Sequence, residues 1–209
     1  MRAVKQICEQ EKHMSTQVLH IDSSILGDNS VSGALGKTLT DALSEKLVDV
    51  SVIHRDLGQD PVPYLDGATF AAMGEGKAEL SNQLIEELLA ADIIVIGAPM
   101  YNFGIPAQLK SWLDHLARAG TTFKYTSEGP VGLVSGKKVF VLAARGGAYR
   151  DTPLDTHTPY LKSFLGFLGI SDVEFIYAEG LAMGEEARAN TLTEAEAAIA
   201  AAVESLTIA

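Results

Sequence analysis

The sequence predicts a doubly wound α/β domain with a five-stranded parallel sheet and helices on both faces. Two observations carry this. Short apolar strands alternate with helical patterns five times along the chain, as repeated βαβ units do. The clearest strand, Ile93 to Gly97, is apolar at consecutive positions, so both its faces should be covered. Right-handed crossovers then put helices on the two sides of the sheet. At 209 residues and 47% apolar content the chain suits one domain, and no linker or internal repeat divides it.

Gln17 to Ile21 reads as the first buried strand, stopping at Asp22. From Ser30 to Asp49, leucines 35, 39, 43 and 47 recur at four-residue steps and mark one helix face. Val50 to His54 is the second strand, with β-branched Val52 and Ile53. Asp56 to Gly76, with Pro61, Pro63 and several glycines, reads as a long loop with room for one short helix. Leu80, Leu84 and Leu88 mark the next helix. After the third strand, Pro106 suits a first helical turn, with Leu109, Trp112, Leu113 and Leu116 on one face and Gly120 as a stop. Lys138 to Ala143 is the fourth strand, Tyr160 to Leu168 a helix ended by Gly169, and Val173 to Ala178 the fifth strand. Thr193 to Leu206 reads as an Ala-rich final helix.

The formal net charge is −11, and Lys and Arg are scattered, which argues against a nucleic-acid surface. One cysteine, Cys8, allows no internal disulfide and fits a reducing cytoplasm. The five histidines show no ligand spacing along the chain, so no metal site is expected. Met1 to His13 lacks the apolar stretch of a signal peptide and reads as a weakly ordered leader ahead of a domain spanning 14–209. The most apolar run, Ala90 to Met100, is too short to cross a bilayer.

In a doubly wound sheet, ligands bind beyond the carboxyl ends of the strands. Three loops there are chemically distinct. The first, Ser23 to Ser32, is rich in hydroxyls and runs straight into a helix. Ser24, Ser30 and Ser32, with the N–H groups at the helix start, could hold a phosphate. Plain N-capping by Ser30 is the competing reading. The second, Ala98 to Pro106, carries Met100, Tyr101, Asn102 and Phe103 at the tip of the central strand, suited to covering a flat ring and bonding its polar edge. Cover for the sheet end or for an interface is the alternative. The third, Ala144-Arg145-Gly146-Gly147, lets backbone N–H groups approach a ligand, though Gly-Gly is also a plain turn. Together the loops suit a phosphate at one end and a heteroaromatic ring at the other, as in FMN. No dinucleotide or P-loop glycine pattern is present.

These segments resemble a known family. The stretch APMYNFGIPAQLKSWLDHLARAGTTFKYT, then GLVSGKK, RGG, YLKSFLGFLGI and YAEG, is similar to the FMN-dependent NADH azoreductases, flavodoxin-like reductases of quinones and azo compounds. The resemblance runs from about Ser15 onward. It implies a flavodoxin-like sheet order, 2-1-3-4-5, and a cytoplasmic homodimer with one non-covalent FMN per subunit near the interface. It also implies NADH as donor and a ping-pong reaction with quinones or aromatic azo compounds, without a membrane, nucleic acid or side-chain nucleophile. By motif, Ser24, Ser30, Val31 and Ser32 would meet the phosphate, and Met100, Tyr101, Asn102, Phe103, Ala144, Arg145, Gly146 and Gly147 the ring. Some members have serine where this chain has Ala144, which removes one hydroxyl contact. Tyr125, Phe167 and Tyr149 are candidates for the substrate pocket, or for the core or dimer seam. An electron-carrying flavodoxin without its own substrate is the rival reading. Against it stand Asp56 to Gly76 and Gly120 to Lys137, segments placed to build a dimer and a pocket.

Overall fold

The computed structural model describes residues 15–207, so the expectation of a weakly ordered leader lies outside the described residues. The central sheet is parallel, with strand order β2-β1-β3-β6-β7. Its strands are β1 (Thr16–Asp22), β2 (Val50–Asp56), β3 (Ile93–Pro99), β6 (Lys138–Ala144) and β7 (Asp172–Ala178). Counted within the sheet alone, this is the expected 2-1-3-4-5. The intervening numbers belong to an antiparallel hairpin, β4 (Phe123–Thr126) and β5 (Gly129–Gly132), which the periodicity had not marked as strands.

Every residue of β3 is buried, as its unbroken apolar run demands at the centre of a covered sheet. Successive side chains point to opposite faces. On one face, Val18, Val95, Phe140 and Ile176 pack with Leu35, Leu39 and Leu43 of α1 (Val31–Lys46) and Ile199 of α6 (Glu185–Ser205). On the other, Leu19, Ile94 and Val141 meet α3 (Glu79–Ala90), α4 (Ala107–Leu116) and α5 (His157–Leu168) through Leu84, Trp112 and Leu165. Each fully buried leucine contributes roughly 1.5–3 kcal/mol. At the sheet edge β2 is largely exposed.

The short helix of the long loop is α2 (Gly67–Gly74), capped by Asp66, whose carboxylate accepts from Thr69 N–H at 2.7 Å. Helix α4 ends at Leu116, and Gly120, at φ +79°, serves the turn beyond it. Helix α6 starts eight positions before the expected Thr193, because its first turns are polar and exposed and show no apolar stripe. The hairpin docks on the end of α5. There the backbone of Gly132 lies so close to Gly169 that a Cβ would stand 2.1 Å from its nitrogen. Gly169, at φ +102°, ends α5, and Val134 N–H donates to Leu168 C=O at 2.9 Å.

Candidate functional site

The three loops converge at the carboxyl edge of the sheet around a cleft of about 210 Å³. Ser23 closes β1: its buried hydroxyl donates to Gly97 C=O at 2.6 Å and ties the first loop to β3. Ser24 Oγ accepts from Leu26 N–H at 3.2 Å and pairs with the Tyr101 hydroxyl at 3.1 Å, which joins the first and second loops. Ser30 does cap α1, accepting from Gly33 N–H at 3.0 Å. Ser32, also buried, stands 3.3 Å from Ser30, oxygen to oxygen. The N–H groups of Val31 and Ser32 belong to the first turn, where a helix offers no internal acceptor. Hydroxyls, free N–H groups and the positive end of the dipole therefore share one wall.

The second loop is a tight reversal. Tyr101 and Gly104 exchange both backbone hydrogen bonds at 3.0 Å, with Asn102 (φ +49°) and Phe103 (φ +68°) at the two central positions. Positive φ at a phenylalanine costs of order 1 kcal/mol or more and persists only where surroundings impose it. Here Thr156 donates its hydroxyl to Phe103 C=O, and the Phe103 ring meets Tyr149 edge-on at 5.5 Å. Met100 and Tyr101 line the cleft, while Asn102 and Phe103 stand exposed beside it.

The third loop is held from within. The Arg145 side chain is fully buried, donating to Asp155 at 2.9 Å, Thr158 at 2.7 Å and Glu179 at 3.1 Å. It is spent inside the fold, so Arg145 offers the cleft its backbone and not its charge. Burial works to raise the Asp155 carboxyl, but hydrogen bonds from Thr158 and Arg145 outweigh it and hold it below its usual value. Glu179 also accepts from Tyr149 and Arg150 N–H, both at 2.8 Å. The carbonyls of Arg145, Gly146 and Gly147 accept from Leu181, Ala182 and Gly180 N–H. The N–H groups of Gly146 and Gly147 have no acceptor among the described residues.

Of the expected cofactor residues, Ser24, Ser30, Val31, Ser32, Met100, Tyr101, Ala144, Arg145 and Gly146 line this cleft, and Gly147 adjoins it. Sequence reading missed Leu181, Ala182 and Arg188, a fourth wall after β7. The YAEG segment that leads into it was the available signal. Of the pocket candidates, Tyr149 stands with Phe103 at the second loop. Tyr125 and Phe167 do not. They flank Phe123, with rings 5.3 and 4.4 Å from it, where the hairpin meets the end of α5. Helix α5 runs away from the cleft, so both lie toward the opposite edge of the sheet, and Tyr125 is 75% exposed. The histidines, unremarkable in sequence, are not all isolated in space: His20, Asp22 and His54 come together.

The flavodoxin-like fold family model matches residues 16–203. An FMN-dependent NADH:quinone oxidoreductase of Saccharophagus degradans is 50% identical over 194 residues, spanning 89% of this chain and 92% of that protein. The crystal structure of an azoreductase from Bacillus anthracis strain Sterne aligns with a TM-score of 0.83 at 29% identity, covering 91% of this chain and all of that one. An FMN-dependent NADH-azoreductase from Bacillus anthracis strain Ames Ancestor, solved in complex with FMN, aligns with a TM-score of 0.79 at 28% identity, covering 90% of this chain and 99% of that one. This chain belongs to the flavodoxin-like fold family, and within it to the FMN-dependent NADH:quinone oxidoreductases.

Proposed function

We propose that the protein is a cytoplasmic, FMN-dependent NADH:quinone oxidoreductase that also reduces aromatic azo compounds. The observation that carries this is the meeting of the three loops in one cleft, with hydroxyls and free N–H groups at one end and Met100, Tyr101 and the glycine loop at the other. That donor set fits FMN: the start of α1 suits a phosphate dianion, and apolar Ala144 and Met100 suit a ring. No helix among the described residues is long and apolar enough to cross a membrane.

Bound FMN supplies two-electron hydride chemistry. The chain supplies position. Ser30, Ser32 and the first N–H groups of α1 would hold the phosphate. Gly146 and Gly147 N–H and the Asn102 amide would face the polar edge of the ring, where fixed donors stabilise negative charge. NADH and the acceptor would enter the same open side of the cleft in turn, a ping-pong order. In a homodimer, Tyr125 and Phe167 of one subunit would shape the pocket of the other, since within one chain they lie away from the cleft.

An absorbance spectrum taken without oxygen tests the reading. A yellow protein that NADH bleaches and a quinone recolours is expected. A yellow protein that NADH cannot bleach is an electron carrier instead. The phosphate wall is tested by Ser32→Ala, which leaves the Ser30 cap in place. Losing one hydrogen bond to a charged group, worth ~1.5–3 kcal/mol, should weaken FMN binding roughly 10- to 100-fold. Unchanged affinity would put the phosphate elsewhere.

A further inference from the structure

We propose that His20, Asp22 and His54 form a binding site for one divalent ion of the zinc class, on the α1 face of the sheet, beside the flavin cleft but not within it. Strand pairing builds the cluster. In the parallel register His20 stands opposite His54, so both rings share a face, and Asp22, two residues after His20, joins them. The ring centroids are 4.8 Å apart, and one donor atom from each residue lies within 4.8 Å of the others.

The Asp22 carboxylate stands between the rings. Its Oδ2 is 2.9 Å from His54 Nε2, and its Oδ1 is 3.4 Å from His20 Nε2. The second pair does not make a hydrogen bond: both atoms are buried without a partner. Zinc bonds of roughly 2.0–2.1 Å place two tetrahedral donors about 3.3 Å apart; the His20–Asp22 pair stands at 3.4 Å, the His54–Asp22 pair at 2.9 Å, and all three donors lie within 4.8 Å, so small side-chain rotations would close them on an ion. His20 Nδ1 faces Thr40 Oγ1 at 3.4 Å. With the proton on Nδ1, facing Thr40, the Nε2 lone pair is free to ligate, and an ion between it and the carboxylate would partner both buried atoms.

The surroundings keep that space clear. A Cβ on Gly36 would stand 2.6 Å from His20 Nε2, and one on Gly97 2.7 Å from Asp22 Oδ1. His54 is half exposed and opens the cluster to the groove between α1 and β2, where water can take the fourth position. Two imidazoles and one carboxylate are a donor set for zinc and its neighbours, not for magnesium or calcium, which prefer oxygen alone. The ion would clip the exposed edge strand β2 to β1. It would also sit against Gly33, which abuts both the Asp22 carboxylate and the Ser30 hydroxyl.

The test is equilibrium dialysis of the chelator-stripped, full-length protein against Zn2+, followed by metal analysis. One zinc per chain is expected, with a raised thermal unfolding midpoint and no equivalent binding of Mg2+. His54→Ala, at an exposed position, should keep the wild-type circular dichroism spectrum. It should lose more than the roughly 10- to 100-fold in zinc affinity that removing an outer-shell partner costs. Asp22→Asn should do the same. A wild-type protein that retains no zinc overturns the proposal. Equal retention by wild type and His54→Ala overturns it too, because the ion then binds elsewhere.

Discussion

The Arg145 guanidinium has no solvent exposure, yet it meets two carboxylates and a hydroxyl, and those carboxylates accept backbone N–H groups as well. The Asp22 carboxylate, on β1 two strands from β6, faces two imidazoles and still leaves one oxygen unpartnered. Both clusters stand near the carboxyl edge of one sheet. The first pairs its charge with two carboxylates, although Arg145 Nε has no acceptor, and it does structural work, fixing the glycine loop from beneath. The second is open on one side and leaves one Asp22 oxygen and one His20 nitrogen unpartnered. A buried charge balanced by opposite charges holds a loop; a carboxylate between two imidazoles, open on one side, is placed to take a ligand.

Breaking the Arg145 cluster should have the largest effect. Arg145→Met leaves a buried Asp155 and a partly buried Glu179 without their cation. Such a loss destabilises by about 3–5 kcal/mol, read from urea unfolding. The glycine loop would lose its anchor, so flavin retention should fall with stability. A variant that unfolds like wild type would mean that backbone donors alone carry these carboxylates.

His157 sharpens the comparison through pH. Its ring is fully buried beside the Arg145 cluster, with neither nitrogen bonded. Burial first, and then the Arg145 charge, push its pKa down from 6.5 to about 4, against a smaller opposing pull from Asp155. The folded protein therefore keeps His157 neutral where the unfolded chain protonates it. Below about pH 6.5 the unfolded state binds the extra proton, so stability is full above that pH and falls as pH drops toward 4. The whole fall amounts to about 3 kcal/mol from this group. Urea midpoints across that range would show it, and His157→Phe should flatten it. In the Arg145→Met background the fall should shrink, since one of its two causes is gone. An unaltered slope in both variants would assign the pH dependence to other groups.

How much of this was legible in sequence follows from where each signal lives. The sheet and the core helices were legible because their signal is local: β3 announces itself in five consecutive residues, and α1 in three leucines, with the fourth, Leu47, at its C-cap. Most of the cleft was legible because serines, aromatics and paired glycines at strand ends are not core residues. The hairpin was not, since GPVG has neither length nor alternation, and its place depends on the backbone contact between Gly132 and Gly169. The start of α6 was hidden by an exposed, polar first half, and with it Arg188. The histidine cluster was invisible because His20 and His54 meet through strand register, a relation that spacing along the chain does not encode. The role of Arg145 was half legible: its place in the loop was, its side chain's burial was not.

The same contrast between held and strained groups reappears in the second loop, with a smaller expected effect. Phe103 sits at φ +68° in a two-residue turn, where glycine is the unstrained choice. Phe103→Gly relieves of order 1 kcal/mol of strain, gives back a similar amount in unfolded-chain entropy, and loses an aromatic contact worth about 0.5–1.5 kcal/mol. The net change in stability should stay within about 1 kcal/mol by urea unfolding. Turnover with a quinone should change far more, chiefly through a raised KM, if the strained ring serves the cleft that it borders. A variant that loses more than about 2 kcal/mol and keeps its KM would instead make Phe103 a cover for the sheet end.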